Sequence, residues 1–164
     1  MHTLAKKFMM ARKLDFGENG EAELLDDKVF LMDGSMLSSI AKNCDEETSY
    51  SIGKETGENL AKNIKKTGIS GSKMIKFMMD LLTMMGIGKC EFNEFDIKKK
   101  EGEISVKNSI IHRKSKDGDI SCEVLSGLIA GIVNYCYDKS FVAEEIDCNL
   151  GDSKHCKFEF RPEG

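Results

Sequence analysis

The chain has no tryptophan, only three tyrosines and a single proline, Pro162. The lone proline excludes a proline-rich linker. The missing indole excludes a ligand site built on a tryptophan ring. No apolar run approaches the roughly 18–20 residues needed to span a bilayer. The start, Met1 to Lys13, holds only a four-residue apolar run, Phe8 to Ala11, too short for the core of a signal peptide. These absences predict a protein that keeps off the membrane and stays in the cytoplasm. A basic excess is lacking too: the net charge is −4, which gives no general attraction to nucleic acid. The lysine runs Lys65-Lys66 and Lys98-Lys99-Lys100 read as solvated faces or edge-strand protection. No G-x-G-x-x-G follows a strand, so no dinucleotide cofactor is expected. The stretch Gly86 to Lys89 fails as a phosphate loop, because Thr83 stands where glycine is needed and Cys90 where serine or threonine is needed. Neither a Ser/His/Asp nor a Cys/His set occurs at recognisable spacing, so the chain is not expected to be an enzyme.

What is present suits one well-buried core. The chain has 164 residues, 40% of them hydrophobic and 32% charged, enough for one domain and short for two. Met1 to Leu14 is amphipathic, with Leu4, Phe8 and Ala11 at helical spacing. Residues 1–15 are therefore an N-terminal helix or arm, and residues 16–164 a single domain. Six cysteines (Cys44, Cys90, Cys122, Cys136, Cys148 and Cys156) in a reducing compartment point to thiols or metal ligation, and not to a disulfide framework.

Along the domain, Asp15 to Asp27 reads as a turn or weak strand and Val29 to Met32 as a short strand. Asp33-Gly34-Ser35 starts a helix through Met36, Leu37, Ile40 and Ala41. Asp45 caps a second helix to about Lys66, with Tyr50, Gly53, Gly57, Leu60, Ala61 and Ile64 inward. Gly53 and Gly57 lie one turn apart, so another backbone is expected to approach that face closely. Ser72 to Met85 forms a third helix, rich in methionine, with Met74, Phe77, Met78, Leu81, Leu82 and Met85. Cys90 to Ile97 and Glu103 to Asn108 form a hairpin turning at Lys100 to Gly102. The apolar phase slips from Cys90 and Phe92 to Phe95 and Ile97, which predicts a bulge. A long helix from Ile120 to Cys136 carries a small-residue patch, Gly127, Ala130 and Gly131. The last hairpin joins Phe141–Cys148 to Cys156–Phe160. Cys156, Phe158 and Phe160 face one way; Lys157, Glu159 and Arg161 face the other. The whole is an α+β architecture, an antiparallel sheet packed against a group of helices.

Cys122, Glu145, Cys148 and Cys156 are candidate metal ligands: thiolates and a carboxylate are standard zinc donors, and four complete a tetrahedral shell. In a regular strand Glu145 and Cys148 would face opposite sides, so the set needs a bulge or turn between them. Without one, His155 or water takes the fourth position. Alternatively the cysteines are small core hydrophobes. Three thiolates and a carboxylate around Zn²⁺ leave a formal −2, which Lys154, Lys157 and Arg161 are placed to offset.

The stretch CEVLSGLIAGIVNYCYDKSFVAEEIDCNLGDSKHCKFEF, Cys122 to Phe160, resembles the 4-vinyl reductase domain family. A cysteine-led helix with glycines on one face (Gly127, Gly131) precedes an acidic strand ending in E-x-x-C (Glu145, Cys148). Gly151-Asp152 and C-x-F (Cys156, Phe158) follow. The glycine-spaced segment YSIGKETGENLAKNI is similar as well. The resemblance implies a fold related to TRAPP vesicle-tethering subunits and zinc on residues matching Cys122, Glu145, Cys148 and Cys156. It further implies homodimerisation and a buried pocket for a small hydrophobic ligand. The reductase name does not establish an activity. Aromatic sensors of the family hold ligand with tryptophan and histidine; here the only histidines are His2, His112 and His155, so phenol-type recognition is not expected. The length leaves no room for an attached DNA-binding or ATPase domain, so a signal would pass to a separate regulatory partner.

The expected reading is thus a stand-alone, zinc-containing, non-catalytic domain that binds a hydrocarbon-like small molecule. Candidate pocket residues are Met74, Phe77, Met78, Leu81, Phe92 and Leu128, with Met84 and Met85 nearby on the methionine-rich helix; the same stripe also suits plain core. The alternatives are a thiol-based redox switch and a protein-assembly adaptor.

Overall fold

The computed structural model describes residues 14–16, 22–24, 27–29, 35–65, 69–96, 98–99, 101–113, 122–149 and 155–164. The chain divides into two compact units at Asp33/Gly34, later than the 15/16 boundary expected from the sequence. The N-terminal amphipathic segment 1–13 lies outside the described residues.

In the first unit, β1 (Leu14–Phe16), β2 (Ala22–Leu24) and β3 (Asp27–Val29) form a three-stranded antiparallel meander. The acidic stretch read as a turn or weak strand thus supplies two strands and the start of a third. The strand expected at Val29 to Met32 begins earlier, at Asp27.

Among its described residues the second unit has five helices and a four-stranded sheet. The helices are α1 (Ser35–Asn43), α2 (Glu46–Lys65), α3 (Gly71–Met84), a single turn, α4 (Ile110–Arg113), and α5 (Glu123–Tyr137), which is buried from Val124 to Val133. The strands are β4 (Lys89–Asp96), β5 (Glu101–Lys107), β6 (Phe141–Asn149) and β7 (His155–Pro162), all antiparallel in the order β4-β5-β7-β6. This is the expected α+β architecture. The β4–β5 turn is shorter than predicted, since Glu101 already pairs with Asp96. The predicted slip in β4 is real: the register shifts between Phe92 and Glu94.

Alternation sorts the sheet. Ile104, Val106, Phe141, Ala143, Cys156, Phe158 and Phe160 are buried beneath the helices. On the opposite face Glu91 pairs with Lys107, and Arg161 with Glu144. Phe92, Phe95, Tyr137, Phe141 and Phe160 pack ring against ring at centroid spacings of 5.6–6.3 Å, each such pair contributing about 0.5–1.5 kcal/mol beyond its area.

Asp45 caps α2 as predicted. Its carboxylate accepts the Thr48 N–H at 2.8 Å and the Thr48 hydroxyl at 3.0 Å, bonds that hold its pKa below the usual carboxylate value. Met74, Ile75, Met78, Met79, Leu81 and Leu82 form the inner face of α3. Met85 caps the helix and is 53% exposed.

The tightest junction lies between α2 and α5. A Cβ added at Gly53 would meet the Val124 carbonyl oxygen at 2.1 Å, and one at Gly57 the Leu128 carbonyl oxygen at 2.3 Å. In return, Gly127 and Gly131 would strike the carbonyl oxygens of Tyr50 and Lys54 at 2.0 Å. Each helix thus seats its glycines on the other's backbone, as their spacing predicted. Helical glycine costs up to about 1 kcal/mol each, so the contact has to return at least that. Asn134 closes the far end: its amide donates to Glu58 at 3.0 Å, and its carbonyl oxygen accepts the Phe141 N–H at 2.6 Å.

Gly127→Ala and Gly131→Ala should each lower the unfolding free energy by about 1–3 kcal/mol or more, whereas Met85→Ala should change it by less than about 0.5 kcal/mol. Urea titration followed by circular dichroism checks this; equal effects at the two kinds of position would contradict the backbone contact.

Candidate metal centre

Three elements deliver the four candidate donors. Cys122 is the residue before α5, and its carbonyl accepts the Leu125 and Ser126 N–H groups at 2.8 and 3.0 Å. It therefore caps the helix instead of standing in its first turn. Glu145 and Cys148 come from β6 and Cys156 from β7.

The difficulty of Glu145 and Cys148 is resolved by the backbone. Glu145 pairs with Phe158, Asp147 with Lys157 and Cys148 with Cys156, so Ile146 is an extra residue in the ladder. This bulge reverses the alternation. It puts Glu145 and Cys148 on the face of Cys156 and Phe158 and turns Ile146 outward, where it is 51% exposed.

The four donor atoms lie within 4.8 Å of one another. The Cys122 and Cys156 sulfurs are 3.7 Å apart, and those of Cys148 and Cys156 3.8 Å. Zn–S bonds of about 2.3 Å give a tetrahedron whose S···S edge is about 3.8 Å, so the spacing is that of a zinc shell. Among the described residues, Oε1 of Glu145 is buried without a hydrogen-bond partner, an arrangement a cation at that oxygen would satisfy. Cys122 and Cys156 are each 1% exposed, whereas Cys148 is exposed. His155, the other candidate for the fourth position, alternates to the opposite face and lies 3.6 Å from Asp147.

The electrostatics fit the same donor set. Burial first, and the neighbouring Cys156 thiol next among the groups that raise it, push the Glu145 carboxyl up to about 7. Burial, then Cys156 and Glu145, push the Cys148 thiol up to about 12. The hydrogen bond with Cys156, followed by burial, drives the Cys122 thiol well above its ordinary range. Without a cation the cluster therefore holds its protons; a divalent cation reverses that preference and takes the deprotonated ligands. Of the cations expected to offset this charge, Lys157 and Arg161 turn to the other face. Lys157 is directed to Glu103 at 3.9 Å, and Arg161 grips Glu144 at 2.9 and 3.2 Å; Lys154 lies outside the described residues. The positive end of α5, at Cys122, is the nearest favourable field. When bound, zinc would cross-link α5 to the final hairpin, with Cys122, Glu145, Cys148 and Cys156 as its holders.

The expected pocket residues fall elsewhere. Met74, Met78, Leu81 and Leu128 are buried in the core, and Phe77 is half-buried. Phe92 lines an open groove of about 670 Å³ between α3 and β4, with Lys76, Met79, Asp80, Cys90, Glu91 and Asn93. The sequence reading missed Met79, Cys90 and this groove; the alternation at Cys90 and Phe92 beside a methionine-rich helix was the available signal.

No known protein-family profile matches the chain, and no curated protein does. Solved structures do. The phenol-responsive sensory domain of the transcription activator PoxR, with phenol, is similar over 99% of this chain and 91% of that one, with a TM-score of 0.73 and 20% identity. A vinyl-4-reductase family protein from Methanocaldococcus jannaschii covers 79% of this chain and 76% of its own, with a TM-score of 0.54 and 20% identity. Subunit 3 of a trafficking protein particle complex from Naegleria fowleri, covalently bound to palmitic acid, covers 80% and 90%, with a TM-score of 0.59 and 14% identity. The fold is the one the resemblance implied, shared by domains of the 4-vinyl reductase and tethering-complex types.

In metal-stripped protein, Glu145 has a folded pKa of about 7 against an ordinary 4.5. Its contribution to stability is present below pH 4.5 and is lost as the pH rises through 7. Glu145→Gln should flatten that slope in denaturant titrations from pH 4 to 8; an unchanged slope would contradict the buried carboxyl.

Proposed function

We propose that this chain is a zinc-containing sensor domain that binds a small hydrophobic molecule, without catalysis of its own. One observation carries the reading: the fold matches a phenol-responsive sensory domain over nearly the whole chain. The four-donor cluster supports zinc, in a structural role, since a shell filled by four protein donors has no open position for substrate.

In this reading the ligand sits between α3 and the sheet, against Met74, Phe77, Met78, Leu81, Phe92 and Leu128, and enters along the groove beside Phe92. Methionine side chains repack with little strain, which suits a core that opens for an apolar guest. The absence of tryptophan supports an aliphatic or weakly aromatic ligand in preference to phenol. The domain acts in the cytoplasm, where thiolate ligands stay reduced, as a homodimer that signals to a separate regulatory protein. An assembly adaptor is the second reading, favoured by the likeness to a trafficking-complex subunit.

Purified protein should carry one zinc per chain by elemental analysis. Cys148→Ser should lose the metal and melt several degrees lower. Native mass spectrometry should find a co-purified small molecule, or an added apolar ligand at a hundredfold its Kd should stabilise the fold by about 2.7 kcal/mol. Metal-free protein with an unchanged melting temperature in the variant would defeat the zinc assignment. Zinc-loaded protein that takes up no apolar molecule would favour the adaptor.

A further inference from the structure

The same cluster contains an arrangement that metal binding alone does not need. Cys148 and Cys156 stand directly opposite each other on adjacent antiparallel strands. Facing residues in such a pair have Cα atoms about 4.5–5.5 Å apart, inside the range of about 4.4–6.8 Å that a disulfide spans. Their sulfurs are 3.8 Å apart. Accessibility is divided unequally: Cys148 is exposed, while Cys156 and Cys122 are sealed. An oxidant from solvent therefore reaches one sulfur first, and that sulfur has a second one beside it. Cys122 is as close to Cys156, at 3.7 Å, but solvent does not reach it. The three remaining cysteines, Cys44, Cys90 and Cys136, are not among the clustered donors.

We propose that Cys148 is an oxidation site for hydroperoxides, with Cys156 as its resolving partner, and that the resulting cross-strand disulfide dismantles the metal centre. The inference rests on the zinc reading for its consequence, not for the sulfur pairing. The Cys148 thiolate attacks one oxygen of a hydroperoxide, ROOH. An S–O bond forms, the O–O bond breaks, and RO⁻ leaves and takes a proton from water to become ROH. Sulfur has then given two electrons and is a sulfenic acid. The Cys156 thiolate attacks that sulfur, the S–S bond forms, and hydroxide leaves and is protonated to water. In sum, two thiolates, one hydroperoxide and two protons yield one disulfide, one alcohol and one water. Cys122 and Glu145 remain, half of a four-ligand shell, and zinc is released. Because zinc would tie α5 to the hairpin, oxidation would uncouple those elements while leaving β6 and β7 covalently joined.

The test uses the purified wild-type chain, treated with stoichiometric cumene hydroperoxide. Zinc release is followed with a chromophoric chelator, and the products are mapped by mass spectrometry without reduction. Trypsin cleaves after Lys154 and so separates Cys148 from Cys156. The expected result is a linked peptide pair joining these two residues, a loss of two titratable thiols per chain, one zinc released per disulfide, and full reversal by dithiothreitol with added zinc. A disulfide involving Cys122, or Cys148 ending as a sulfinic acid with no linked pair, would overturn the proposal. Zinc-loaded protein that forms no link would also overturn it while leaving the metal reading intact. Protein isolated without zinc that still forms the Cys148–Cys156 link would support the oxidation site and remove the metal reading.

Discussion

The backbone contact between α2 and α5 is the constraint on which the second unit turns. Four glycines, two on each helix, let the carbonyl oxygens of one helix sit where side chains of the other would otherwise stand. Close approach of this kind tolerates no sliding, because every neighbouring position on the interface carries a Cβ. It holds α5 in one register against α2 and, through Asn134, against the start of β6. Cys122 caps that same helix five residues before Gly127, so the junction that fixes α5 also fixes the first candidate ligand.

The other half of the site depends on a local irregularity. The bulge at Ile146 costs one ladder pairing, yet it turns Glu145 and Cys148 to the face of Cys156. Two strand positions three residues apart are otherwise on opposite faces, so an E-x-x-C pair on a strand has no use for a shared ligand unless such a bulge intervenes. The electrostatic consequence follows directly. Gathering three thiols and a carboxyl under the helices makes their charged forms costly, and Lys157 and Arg161 are committed to Glu103 and Glu144 on the opposite face. A divalent ion and the positive end of α5 would balance the site.

Much of this could be read from the residues. Glycines one turn apart announced a close helix contact, and the phase slip in β4 announced its bulge; the bulge in β6 was legible only as the condition for a shared ligand set. Other features needed three dimensions. The strands β1 to β3 are three residues long, too short for alternation to signal them. The alternation in β7 already sent Lys157 and Arg161 away from the cysteines; only the neighbouring strands revealed which carboxylates receive them. Glu145 was the candidate that needed a bulge, with His155 or water as the alternative without one; the bulge turns Glu145 to the face of Cys156, and His155 lies on the other face. The methionine stripe of α3 is buried as expected, but periodicity cannot separate a filled core from one that opens for a ligand.

This chain shares its fold with a phenol-responsive sensory domain and a tethering-complex subunit, and on that fold it gathers a cysteine-carboxylate cluster. Whether the metal is the element that ties α5 to the final hairpin is open to direct observation. X-ray absorption at the zinc K-edge of the purified protein should give three sulfur neighbours at about 2.3 Å and one oxygen at about 2.0–2.2 Å. A shell of nitrogen and oxygen donors only, or an edge no stronger than buffer, would contradict the account.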